Sequence, residues 1–180
     1  ALSQNQAKYQ CYSIDKNTPS VNHLTGEPQE PRNTLEESGR ICRGQIKNLK
    51  ELKESDFDAI LFPGGFGAAL NLSTWGTQGS QCRVEPEVTR VINDFYQASK
   101  PIGAICIAPA ILAKTLGDKE VTVTIGNDKE TAQEIEKTGA IHIDCEVHDY
   151  ITDRAHKVIT SPAYMYDSAP PAMVFAGISG

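Results

Sequence analysis

No stretch of this sequence stays apolar for the roughly 20 residues that a membrane helix needs. Its N-terminus, Ala1-Leu-Ser-Gln-Asn5, has neither the basic nor the apolar segment of a secretory leader. The 17 basic residues do not gather into a stripe, and against 23 acidic ones they leave a net charge of −6 and a pI near 5.2. These absences argue against membrane and nucleic-acid partners and for a small molecule or another protein. Repeats, low-complexity tracts and linkers are also missing, so residues 1–180 read as a single domain large enough to bury a real core. The five cysteines (Cys11, Cys42, Cys82, Cys106, Cys145) are odd in number and irregularly spaced. With no secretory leader, free thiols in a reducing compartment are the simpler expectation, which places the protein in the cytoplasm.

The chain is organised around Lys100-Pro-Ile-Gly-Ala-Ile-Cys106-Ile-Ala-Pro109, which reads as a buried strand, a sharp turn at Cys106 and a helix. Ile102 to Ile105 is apolar on both faces, as a central parallel strand requires, and Pro109 suits the first turn of a helix. A thiol at that junction faces the positive end of the helix, where thiolate is favoured over thiol. A free cysteine is otherwise most often a small buried hydrophobe, and Cys106 is weighed against that reading.

Around this unit the pattern alternates. Strands are expected at 9–14, 58–62, 101–105 and 121–125, with two strands between 141 and 160 forming a hairpin at the sheet edge. Residues 1–8 read as the end of a helix, and a polar loop runs to Glu30. Helices are expected from Pro31 to Gly44, from Pro86 along the face Val88, Val91, Ile92 and Phe95, after Cys106, and from a cap at Asn127 to Gly139. The fold class is therefore α/β, a three-layer sandwich with a mostly parallel sheet and a peripheral β-hairpin. In such sheets ligands sit at the carboxyl ends of the strands, where Cys106, Gly64, Gly65 and Pro162 all fall.

Gly64, Gly65 and Gly67 follow the 58–62 strand within four residues and leave backbone amides open to an anion or carbonyl oxygen. A dinucleotide loop is disfavoured because Leu70 stands where the third glycine belongs. Gly65 and Ile107 are the expected oxyanion donors, and Gly64, Asn71 and Pro162 the expected borders of the pocket. Strain at this elbow predicts a positive φ at Cys106, with the sulfur in reach of the Gly65 or Ile107 amide. None of His23, His142, His148 or His156 is close to Cys106 in sequence, so the general base stays unassigned. A zinc site at His142, Cys145 and His148 is disfavoured, because strand alternation sends Cys145 to the opposite face; no metal is expected. The other four cysteines read as structural or incidental.

Asn22-His-Leu-Thr-Gly26, Phe62-Pro-Gly-Gly-Phe-Gly-Ala68, Asn71-Leu-Ser73, Cys106-Ile-Ala-Pro109, Thr124-Ile-Gly126 and Ser161-Pro-Ala-Tyr-Met165 closely resemble the ElbB family. That family belongs to the PfpI-like branch of the class I glutamine amidotransferase-like superfamily. The resemblance implies a flavodoxin-like sandwich, a homodimer, and a nucleophilic elbow at Cys106. It further implies conversion of a small aldehyde, glyoxal, to glycolate with no added cofactor. The alternatives are a non-catalytic redox-sensing or stress-protective protein using the same cysteine, or a regulator of isoprenoid biosynthesis acting through partners. Two departures stand out. Ile107 replaces the histidine that follows the nucleophile in many relatives, and the family's opening strand, with the glutamate-bearing loop after it, has no counterpart here. Together with a chain end before the family's closing helix, this leads us to expect the residues to be an internal portion of a longer protein.

Overall fold

The computed structural model describes residues 1–180. Its central sheet has four strands, β5 (Ile60–Phe62), β6 (Ile102–Ile105), β10 (Val158–Ser161) and β9 (Ile151–Asp153), in the order β5-β6-β10-β9. The first three run parallel and the last pair antiparallel. Two further parallel pairs accompany it: β1 (Cys11–Ser13) with β4 (Ile46–Asn48), and β7 (Thr122–Val123) with β8 (Ile141–His142). All four strands expected from the apolar runs are thus present, each shorter than its run, in a mixed α/β architecture consistent with the flavodoxin-like fold.

The expected edge hairpin needs a correction. Strand β9 does form the edge, but β10 lies inside the sheet, hydrogen-bonded to β6 along its whole length. Its burial explains why: Val158, Thr160 and Ser161 are all buried, a pattern that an edge strand does not need. Residues 141–142 belong instead to β8.

A second hairpin, β2 (Asn17–Val21) with β3 (Pro28–Asn33), occupies what reads as a polar loop. Its strands are largely exposed and contain Pro19, Pro28 and Pro31, which a two-stranded ribbon tolerates on its outer edges. Consequently α1 (Thr34–Ile41) starts later than Pro31. Asn33 caps it, its side-chain oxygen accepting from the amides of Leu35 and Glu36. The later helix α6 (Lys129–Glu136) is capped by Asp128 rather than Asn127, because the Asp128 carboxylate takes the Thr131 amide at 2.9 Å. At the N-terminus only a single 3-10 turn, Ser3–Asn5, is formed.

Side-chain alternation in β6 builds the layers. Ala104 joins a core of 25 buried residues, while Ile105 packs against a separate cluster of Val147, Ala163 and Val174. Successive strand residues face opposite sides, so the two clusters lie on opposite faces of the sheet. The larger is closed by α4 (Pro86–Gln97), which opens on Pro86 and buries Val88, Val91, Ile92 and Phe95 completely, and by α5 (Pro109–Leu116). Each such side chain contributes about 1.5–3 kcal/mol of transfer free energy. The smaller is covered by a helix for which the sequence offered no clear pattern, α7 (Pro171–Ser179), because it is apolar all round rather than on one stripe.

At the end of the sheet opposite Cys106, one carboxylate ties several elements together. Asp153 accepts from the amides of Thr122 at 2.8 Å and His156 at 3.1 Å, and pairs with His156 Nδ1 at 2.7 Å. The His156 ring stacks on Tyr96 of α4. Burial by itself would raise the Asp153 pKa, but the bonds from Thr122 and His156 outweigh it and hold the group below its ordinary value of 3.8. A depressed carboxylate stabilises the fold fully above its unfolded pKa, and that contribution is lost as pH falls through the lower folded value. Asp153→Asn should therefore cost about 1–3 kcal/mol at neutral pH. In urea unfolding followed from pH 7 downwards, the gap between variant and wild type should close only in acid below the ordinary aspartate pKa; a gap independent of pH would show that the charge contributes nothing.

Candidate active site

Because β5, β6 and β10 are parallel, the residues that follow them gather on one rim: Gly64 and Gly65, Cys106, and Pro162. The Cys106 amide donates to the Ser161 carbonyl at 2.9 Å, which carries the β6–β10 ladder one residue past the strand. The chain then turns at once. Cys106 has φ +63°, as the elbow reading requires, a left-handed conformation that costs a non-glycine residue on the order of 1–3 kcal/mol. Ala108 and Ala110 bond back to Ile105 and Ile107, which starts the turn leading into α5 at Pro109.

Gly64 is pressed against this elbow. A Cβ added there would sit 2.4 Å from the Ile105 carbonyl oxygen and 2.8 Å from Cys106 Cβ, and its φ is +84°. Gly65, at φ +80°, has open space where a side chain would go. It precedes α2 (Phe66–Leu70). The amides of Gly64, Gly65 and Ile107 find no acceptor within the chain. They are donors without partners beside a half-exposed thiol, and an oxygen carrying negative charge is the group that would satisfy them.

Other expectations fare differently. No hydrogen bond links the Cys106 sulfur to either the Gly65 or the Ile107 amide, and no acid or base side chain bonds to it. Asn71 turns toward the β2–β3 hairpin, its amide oxygen accepting from the Thr18 hydroxyl at 2.6 Å; it fastens the hairpin beside the glycine turn. Pro162 stays on the rim and packs near Gly126. Two clefts lie away from Gly64, Asn71 and Pro162, one at Leu52–Ser55 with Arg90 and Asp94 and one along the hairpin at Arg32, Asn33 and Glu36. Both are lined largely by charged and polar side chains, and neither contains a cysteine.

Two features of the rim escaped sequence reading. Ala163, fully buried, also has a positive φ of 45°, and with Val147 and Val174 of α7 it forms the apolar wall against which Cys106 packs. The signal available was Ser161-Pro-Ala at the end of a strand, a second abrupt stop beside the first. The other is the structural role of His142, named from the sequence only as a candidate base or metal ligand. Its Nε2 accepts from the Ile125 amide at 3.2 Å, and burial pushes its pKa below 6.5 against the opposing pull of Asp144, so the ring is a neutral structural acceptor. Burial also raises the Cys82 thiol and drives Cys145 up to about 11, so neither serves as a thiolate nucleophile near neutral pH.

The contact at Gly64 gives a paired test. Gly64→Ala adds about 1–3 kcal/mol of overpacking to about 1–2 kcal/mol of left-handed strain, whereas Gly65→Ala incurs only the second cost. Denaturant unfolding should rank wild type above Gly65→Ala and Gly65→Ala clearly above Gly64→Ala. Equal losses would mean that the two backbones are not in contact.

Comparison with known proteins is consistent with this geometry. The chain is 43% identical over 93% of its length to the human glutamine amidotransferase-like class 1 domain-containing protein 3, mitochondrial, and 44% identical over 82% to the rat ES1 protein homolog, mitochondrial. It spans 66% and 59% of the length of these relatives. Their mitochondrial designations overturn the expectation of a cytoplasmic protein; free thiols indicate redox conditions, not an address. Among solved structures, an isoprenoid biosynthesis protein with an amidotransferase-like domain from Ehrlichia chaffeensis superposes with a TM-score of 0.89 at 33% identity, covering 98% of this chain and 82% of that one. The DJ-1/PfpI family profile matches residues 45–168, a span that contains β5, β6, β10 and the whole rim around Cys106, and the chain belongs to that family.

Proposed function

We propose that this protein is an ElbB-type, cysteine-dependent glyoxalase that converts glyoxal to glycolate without an added cofactor. The observation that supports it most is the half-exposed Cys106 thiol at φ +63° beside the unpaired amides of Gly65 and Ile107.

The chemistry follows from those groups. The Cys106 thiolate adds to one aldehyde carbon of glyoxal, and the carbonyl oxygen becomes an alkoxide that the Gly65 and Ile107 amides stabilise. In the resulting hemithioacetal, the proton on the sulfur-bearing carbon moves by way of an enediol to the neighbouring carbon. That leaves a thioester at the first carbon and an alcohol at the second. Water then hydrolyses the thioester, releasing glycolate and regenerating the thiol. One water is consumed and no electrons are exchanged with a cofactor. Preorganised backbone donors suit this sequence because they stabilise the alkoxide without ordering any side chain. The apolar wall of Val147, Ala163 and Val174 keeps one side of the adduct dry.

With the full-length protein and carbon-13-labelled glyoxal, NMR should show labelled glycolate accumulating for wild type, and the background solution rate for Cys106→Ser. Equal glycolate from both proteins would exclude the thiol as nucleophile. A wild type that yields no glycolate but gains mass at Cys106 under peroxide would favour the redox-sensing reading instead.

A further inference from the structure

Away from the rim, two thiols face each other between β1 and α1. The Ser38 hydroxyl donates to Ser13 Oγ at 3.1 Å, which fixes how the helix lies on the strand. From that rung, Cys42 is four residues further along the helix and Cys11 two residues back along the strand. Four helical residues advance about 6 Å and two strand residues about 6.6 Å, so the next rung of the same two faces brings Cys42 opposite Cys11. The Cys42 thiol is near enough to help burial raise the Cys11 pKa, and both residues are half-exposed, as an oxidant requires. Gly39, between the two rungs, has Ile46 of the neighbouring strand only 3.6 Å from where a Cβ would stand, so the helix lies close to this sheet.

We propose that Cys11 and Cys42 are a redox pair that closes to a reversible intrachain disulfide when the protein meets a peroxide. One thiol reduces the peroxide O–O bond, becoming a sulfenic acid and releasing water. The second sulfur then displaces the sulfenic hydroxyl, which leaves as a second water with the proton of that thiol. Two thiols are oxidised and one peroxide is reduced, and a cellular dithiol reverses the step. The bond would bracket the whole segment from β1 to the end of α1. That segment includes the β2–β3 hairpin, whose Thr18 is fastened to Asn71 beside the glycine turn. Oxidation would thereby stiffen the flank of the rim without touching Cys106. Burial and the neighbouring Cys42 thiol hold the Cys11 thiol above its ordinary value, so the pair stays as two protonated thiols until a peroxide supplies the oxidising equivalents.

The test is peptide mapping of the full-length protein after brief hydrogen peroxide treatment, alkylation of remaining thiols and tryptic digestion without reductant. The expected product is Tyr9–Lys16 joined to Ile41–Arg43, two hydrogens lighter than the separate peptides, from a species that runs as a monomer on a non-reducing gel and reverts with dithiothreitol. Cys106→Ser protein should form it equally, which separates this result from the fate of the glyoxalase reading. Recovery of Cys11 and Cys42 as separately alkylated or separately over-oxidised peptides, or linkage only between chains, would overturn the proposal.

Discussion

The bond from the Cys106 amide to the Ser161 carbonyl is the constraint on which the site depends. It extends the β6–β10 ladder to the last possible residue, so the chain has no slack in which to bend gradually before α5 begins. On the other side Gly64 leaves no room for even a Cβ against the Ile105 carbonyl and Cys106 Cβ. Held between two strands, Cys106 can leave the sheet only through the left-handed region. The strain is therefore carried by the packing of β5, β6 and β10 together and not by any one side chain.

The same architecture separates the five thiols by environment. Cys82 and Cys145 are buried and held protonated, Cys11 and Cys42 share one rung between strand and helix, and Cys106 alone stands where parallel strands end. Beside Cys106 the unpaired donors are all backbone. That suits a reaction whose charge develops on substrate oxygen, since fixed dipoles need no reorganisation as the charge appears.

The apolar core was legible in the sequence because burial on both faces leaves an unmistakable run: Asp58 to Phe62 and Ile102 to Ile105 became β5 and β6, and the glycine turn and Cys106 fell at their ends. The site's first feature, a cysteine at positive φ, followed from the strand-turn-helix grammar together with the strained elbow that the family resemblance implies. The β2–β3 hairpin left no such trace, because its residues are exposed and its prolines argue against strands. Strand β10 was recognised but misplaced, since a hairpin partner does not reveal which strand pairs with its other edge. Asn71 lies beside the glycine turn in sequence, yet its side chain was captured by the hairpin that went unseen. The wall formed by α7 was missed for the opposite reason, an all-round apolar helix having no periodic face to read.

A crystal structure of the wild-type protein soaked in glyoxal addresses the central claim directly. The account predicts density continuous with Cys106 Sγ, Cys106 at a φ near +63°, and the adduct oxygen within about 2.7–3.1 Å of the Gly65 and Ile107 amides. Cys106 in ordinary strand or helix geometry, or an adduct whose oxygen turns away from both amides, would contradict it.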